Sequence, residues 1–183
     1  MKLLFIGPPG AGKGTQAGKV AARLGIPHIS TGDMFRDHVA RGTELGQKVD
    51  AIMKAGDYVP DEMTVAMLNE RIGQDDARDG FILDGFPRTE AQVESLDMLL
   101  GEGGLDHVVV FDVDEDELTE RLLFRGRTDD TEETIRNRFK VYLDQTQPLI
   151  DIYEARGIAV YLNGTGEVEE VTDRILDQVD RRS

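Results

Sequence analysis

The stretch GPPGAGKGTQ, Gly7 to Gln16, packs four glycines and a lysine into ten residues. It follows the apolar run KLLFI (Lys2 to Ile6) and opens a helical pattern from Lys13 to Leu24. A strand running into such a loop, with a helix behind it, suits phosphate chemistry. The glycines let backbone N–H groups converge on an anion, the helix N-terminus adds its positive dipole end, and Lys13 supplies a point charge. Gly10, Ala11, Gly12, Lys13, Gly14 and Thr15 are therefore candidate phosphate contacts. Loops of this kind usually carry Ser or Thr after the lysine, where the hydroxyl binds magnesium. Here Gly14 stands there and the hydroxyl comes one place later, on Thr15. Mg2+ is then expected to be held through water and the nucleotide, with Asp84 as an outer-sphere anchor. Asp84 ends the strand-like FILD at a place where a carboxylate can face a phosphate, or where it can simply form the turn before Gly85.

Arginine is the second signal. Arg121, Arg125, Arg127, Arg136 and Arg138 fall within eighteen residues, and Arg36 and Arg88 sit beside turn or cap chemistry. Guanidinium binds phosphate bidentately, and phosphoryl transfer asks the protein mainly for positioning and charge neutralisation. Arg136 reads instead as one half of a solvated pair with a nearby glutamate. DGFPR (Asp84 to Arg88) joins a carboxylate, a glycine and an arginine at one strand end, where ligands bind in open parallel sheets. STGD (Ser30 to Asp33) opens a helix and serves either as a cap or as a second anion site. Two anion sites would mean two phosphorylated substrates.

The elements that must hold these residues alternate along the 183-residue chain. Strands are expected at Lys2–Ile6, His28–Ser30, Gly80–Gly85, His107–Val113 and Ile158–Leu162, with helices at Asp33–Ala40, Leu45–Ala55, Asp61–Ile72, Thr89–Leu100, Glu115–Phe124 and Thr131–Arg156, and a final amphipathic one containing Val168 to Val179. Gly25 and Pro27 should end the first helix, Asp130 and Glu133 should cap the long one, and Pro148 should break it. Strand–helix alternation predicts an α/β fold with a parallel sheet covered on both faces. Thr31–Val59 and Arg125–Glu133 look like inserts.

Composition narrows the rest. There is no cysteine, which excludes disulfides and cysteine-based zinc sites. No apolar run reaches membrane-spanning length. The opening MKLLFIGPPG fits a strand better than a signal peptide, so a cytoplasmic protein is expected. A net charge of −15 argues against nucleic-acid and membrane partners. Six lysines against fifteen arginines and 36 acidic residues suit either a high-salt environment or a simple composition bias.

Taken together, GPPGAGKGTQ, ISTGDMFR, AGDYVPDE, GFILDGFPRT with Gln92, RGRTDDTEETIRNR and NGTG carry a resemblance over essentially the whole chain. In their order and spacing the chain resembles the adenylate kinases of the nucleoside monophosphate kinase family, for which GKGT is the usual form of the loop. The resemblance implies a P-loop NTPase fold with a five-stranded parallel sheet in a single domain, residues 1–183. It also implies a monophosphate-binding insert at 30–59, a short lid at 124–134 and no zinc. Gly32, Gly56 and Gly126 are plausible pivots. It implies transfer of a phosphoryl group from Mg-ATP to AMP, giving two ADP, by a monomer. Gly10 to Thr15 would hold the ATP phosphates, with Lys13 at the transferred group, Arg121 and Gly164 at the ATP adenine and Arg125 on its phosphates. Thr31, Arg36, Asp57, Tyr58, Val59, Gly85, Phe86, Pro87, Arg88 and Gln92 would line the AMP site. Arg127 and Arg138 would contact the AMP side and the moving group. Lys13, Arg88, Arg125, Arg127 and Arg138 would be the catalytic set.

Two alternatives stand beside this. A UMP/CMP kinase of the same family would tend to carry Ala and Asn where this chain has Thr31 and Gln92. A nucleotide-binding switch without turnover needs one site only, and a GTP switch would carry an Asn-Lys-x-Asp guanine reader, which does not occur here. The acidic surface makes its own prediction. If it is an adaptation to salt, the melting temperature rises with added KCl, and a flat response leaves composition bias.

Overall fold

The computed structural model describes residues 1–113, 118, 121, 122, 124 and 131–181. The chain opens with β1 (Lys2–Ile6), α1 (Lys13–Leu24) and β2 (His28–Ser30), then three helices, α2 (Thr31–Ala40), α3 (Glu44–Ala55) and α4 (Asp61–Ile72). Next come β3 (Phe81–Asp84), α5 (Glu90–Leu100) and β4 (His107–Asp112). Leu118, Arg121, Leu122 and Phe124 are helical. The last part is α6 (Glu132–Val141), a π-helical turn at Tyr142–Thr146, α7 (Leu149–Ala155), β5 (Ala159–Asn163) and α8 (Val168–Asp180).

The five strands form one parallel sheet in the order β2-β3-β1-β4-β5. The expected five-stranded α/β architecture is present. Alternate residues of a strand point to opposite faces. Leu3 and Phe5 join Ile82, Val109 and Phe111 beneath Ala17, Val20, Val171 and Ile175 of α1 and α8. Leu4 and Ile6 join Leu83, Val108 and Val110 beneath Val93, Leu96, Leu149 and Tyr153 of α5 and α7. Both faces are dry, which is why these strands read as unbroken apolar runs rather than alternating ones. A third, smaller cluster of Phe35, Val49, Val59 and Met67 holds α2 and α3 to α4.

Local signals explain most boundaries. Gly25 ends α1 in the left-handed conformation (φ 67°), as its sequence position suggests. The long helical stretch does break ahead of Pro148, with the π turn between its halves. Its cap differs from the expected pair. Thr131, not Asp130, caps α6, its hydroxyl accepting from Thr134 N at 3.2 Å, because a Thr one residue before the helix already reaches that donor. Asp130 and most of the expected helix at 115–124 lie outside the described residues.

Leu83 is fully buried between β1 and β2. Leu83→Ala should cost about 3 kcal/mol of unfolding free energy, measured by chemical denaturation.

Candidate active site

Register brings the chemistry together. Asp84 pairs with Phe5 on one side and Ser30 on the other, so the carboxyl ends of β1, β2 and β3 finish in line. The three segments that follow, Gly7–Gly12, Thr31 onward and Gly85–Arg88, therefore open into the same place. They line a cleft of about 1060 Å3 that also takes in Asp57, Tyr58, Val59, Gln92, Arg121, Arg138 and Gly164.

The glycine loop is shaped as its sequence requires. Gly10 has φ 87°, and a Cβ there would stand 2.7 Å from the Leu118 carbonyl oxygen, so only glycine fits. Lys13 Nζ bends back over the loop and donates to the carbonyls of Gly7 (2.8 Å) and Pro8 (2.9 Å). No described side chain caps the N-terminus of α1, and its first turn carries no acid. Every other α-helix described has at least one acidic residue there. Among the described α-helices, α1 alone lacks an acidic residue in its first turn, and its positive end opens on the cleft, which suits an anion. Gln16, the last residue of the motif, has a structural duty. It donates to Val168 O (2.9 Å) and accepts from Thr172 Oγ1 (2.7 Å), tying the loop-bearing helix to α8.

Asp84 lies behind the loop. A Cβ on Gly14 would be 3.4 Å from its Oδ2, and His28 Nε2 stands 3.5 Å from the same oxygen. Burial by itself pushes this carboxyl up, but the His28 imidazole and the charges of Lys13 and Arg88 outweigh it and hold it below its ordinary value. Asp84 is thus an ionised carboxylate facing the loop. His28 was not among the expected site residues, and nothing in its local sequence marks it.

The other wall is a polar network. Thr31 Oγ1 donates to Gly85 O at 2.8 Å, and Arg88 Nε donates to the same carbonyl at 2.7 Å. Gly85 has φ 83°, and a Cβ there would lie 2.7 Å from the Arg88 guanidinium, so glycine lets Arg88 fold over the turn. The guanidinium rests 4.8 Å above the Tyr58 ring. Tyr58 in turn donates to Thr146 Oγ1 (2.8 Å), whose proton goes to Arg88 O (2.9 Å). Thr146 ends the π-helical turn, a distortion often found at functional sites. Arg36 pairs with Asp33 of its own helix. Asp57 accepts from Asn137 Nδ2 (2.7 Å), and Thr134 donates to Lys54 O (2.8 Å), so α6 fastens onto the end of α3.

Most of the candidate residues therefore meet in one cleft. Phe86 differs: its side chain is buried in the core with Leu83 and Val93 and does not line the cleft. Arg125, Gly126 and Arg127 lie outside the described residues, as does most of the expected lid. Arg136 pairs with Glu132 on an exposed face, as expected. Tyr142 and Thr146 line the cleft without having been foreseen, because a π turn leaves no periodic mark in the sequence.

A family model described as adenylate kinase matches residues 5–158. Among curated relatives, the adenylate kinase of Thermobifida fusca (strain YX) is 51% identical over 189 residues, covering 100% of both chains. That of Kocuria rhizophila (strain ATCC 9341 / DSM 348 / NBRC 103217 / DC2201) is 50% identical, covering 98% of this chain and 99% of that protein. That of Mycobacterium sp. (strain MCS) is 52% identical, covering 99% of this chain and all of that one.

The lowered Asp84 carboxyl has a consequence for stability. Its ionised form is favoured by folding, so its contribution is present above the ordinary value of 3.8 and is lost as pH falls through the lower folded one. Asp84→Asn should lower Tm at neutral pH, and the gap to the parent should close as the pH is taken below 3.8.

Proposed function

This chain belongs to the adenylate kinase family, and we propose from that premise that its cleft seats ATP against the phosphate loop and AMP against the wall built by Thr31, Gly85, Arg88 and Gln92. The reaction is the reversible transfer of the terminal phosphoryl of ATP to AMP, giving two ADP. The observation that supports this seating is that two polar walls, one on each side of Asp84, line a single cleft. A one-nucleotide switch has no use for the second.

On the donor side, the backbone N–H groups of Gly10 to Thr15 and the open end of α1 receive the phosphates. Lys13 leaves its two carbonyl partners to follow the transferred group. Arg121 and the Gly164 backbone flank the adenine. On the acceptor side, Arg36 and Arg88 hold the AMP phosphate, and Thr31, Asp57 to Val59, Gly85 to Pro87 and Gln92 surround the nucleoside. The contribution of Phe86 there is its backbone. An AMP phosphate oxygen attacks the terminal phosphorus in line as the bond to the ADP oxygen breaks. That oxygen is already anionic, so no strong base is needed. Arg138, with Arg125 and Arg127, neutralises the equatorial oxygens. Closure of the insert at 30–59 and the lid at 124–134 excludes water, which would otherwise take the phosphoryl.

The family uses ATP with magnesium. The ionised Asp84 beside hydroxyl-free Gly14 fits a carboxylate that orders the water around that ion, which when bound offsets phosphate charge. A cytoplasmic monomer without zinc belongs to the same proposal and rests on the family resemblance.

The test is ADP formation from Mg-ATP with AMP, CMP, UMP or GMP as the acceptor. Fast turnover with AMP alone is expected, and preference for CMP or UMP would move the chain to the pyrimidine branch. Arg88→Ala should lower kcat by about a hundredfold or more. ATP binding with no turnover on any acceptor would leave a binding module.

A further inference from the structure

Gln92 reaches the cleft with its amide already engaged. Its Oε1 accepts from Arg88 N at 2.8 Å, and its Nε2 donates to Asp61 Oδ1 at 2.6 Å. Asp61, the first residue of α4, is itself held, since its Oδ2 accepts from Thr89 Oγ1 at 2.9 Å. Thr89 caps α5 by accepting from Gln92 N at 3.2 Å, so the ring of bonds is closed. We propose that Asp61 is a positioning residue that sets the base preference of the acceptor site by fixing which way the Gln92 amide faces. The proposal rests on the reading that Gln92 meets the acceptor's base.

A backbone N–H can only donate and a carboxylate can only accept. With one on each side, the amide has a single orientation without conflict. A flip would set Nε2 against the Arg88 N–H and Oε1 against the Asp61 carboxylate. The amide is almost fully buried, so water cannot repair either conflict. What remains for a ligand is one oxygen lone pair and one N–H. The edge of a 6-aminopurine offers an amino N–H beside a ring nitrogen acceptor, which matches. A 6-oxopurine offers a carbonyl beside a ring N–H, which opposes donor to donor and acceptor to acceptor. Reading that base needs the flip, and Asp61 supplies half of what forbids it. Specificity then comes from a repulsive element outside the contact shell.

The alternative is that Asp61 merely joins α4 to α5. That role would lower stability without touching base choice. The experiment is kcat/KM for AMP and for IMP at saturating Mg-ATP. Asp61→Ala should lower the AMP:IMP ratio by about tenfold, with KM for ATP unchanged. Asp61→Ser, which suits a helix start and is too short to reach Nε2, should give the same loss and replaces the alanine variant if that one does not fold. Asp61→Asn can still accept from Thr89 while turning its Nδ2 toward a flipped Gln92 Oε1, so it keeps the link between α4 and α5 yet should lower the ratio as the alanine variant does. In a Gln92→Ala background, Asp61→Ala should leave the ratio where Gln92→Ala put it. If Gln92→Ala leaves AMP use intact, the acceptor-site reading is wrong. If it lowers AMP use, but removing Asp61 leaves the ratio unmoved or moves it equally without Gln92, only the positioning role is overturned.

Discussion

A chain with a net charge of −15 has to make a place where polyphosphates are welcome. Everything about the cleft follows from that constraint. The self-repulsion of the surface is screened over roughly 10 Å at ordinary salt, so a local positive field can survive only if it is dense and shielded. Backbone supplies much of it. The uncapped N-terminus of α1, with no acid in its first turn, and the turned loop around Gly10 contribute fixed partial charges. The cations of the cleft are each kept in place by protein partners: Lys13 on two carbonyls of its own loop, Arg36 on Asp33, Arg88 on a carbonyl and an aromatic face.

The sheet makes that density possible. Because all five strands are parallel, loops that carry chemistry leave from one edge, and the register of β1, β3 and β2 sets three of them side by side. Two dry faces hold the edge still. The segment 30–59, proposed above as a closing insert, is built differently. The insert has its own small cluster around Phe35 and Val49 and is fastened to α6 mainly by polar contacts through Thr134 and Asn137. Hydrogen bonds of that kind can be exchanged for others at little net cost, which suits the proposed closure.

The proposed base preference depends on the same economy of orientation. Gln92 is informative as a residue type, since an amide can pair with a base edge in two opposite senses. Only its buried neighbours decide between them. Tyr58 and Thr146 do the like for Arg88, joining segments far apart in the chain through a pair of hydroxyls.

By itself the sequence determined the order of strands and helices, the parallel sheet, the loop at Gly7–Gln16 and most of the residues that meet in the cleft. Those rest on short-range causes: apolar runs bounded by glycine turns, helix periodicity, and motifs whose spacing is local. The fate of Phe86, the π turn that presents Tyr142 and Thr146, and the partners of His28, Gln16 and Asp61 were decided only in three dimensions. In each of these a polar or apolar group meets a partner on a different segment. Such choices depend on which surfaces the packed sheet brings together, and residue type and spacing along one chain carry no record of them.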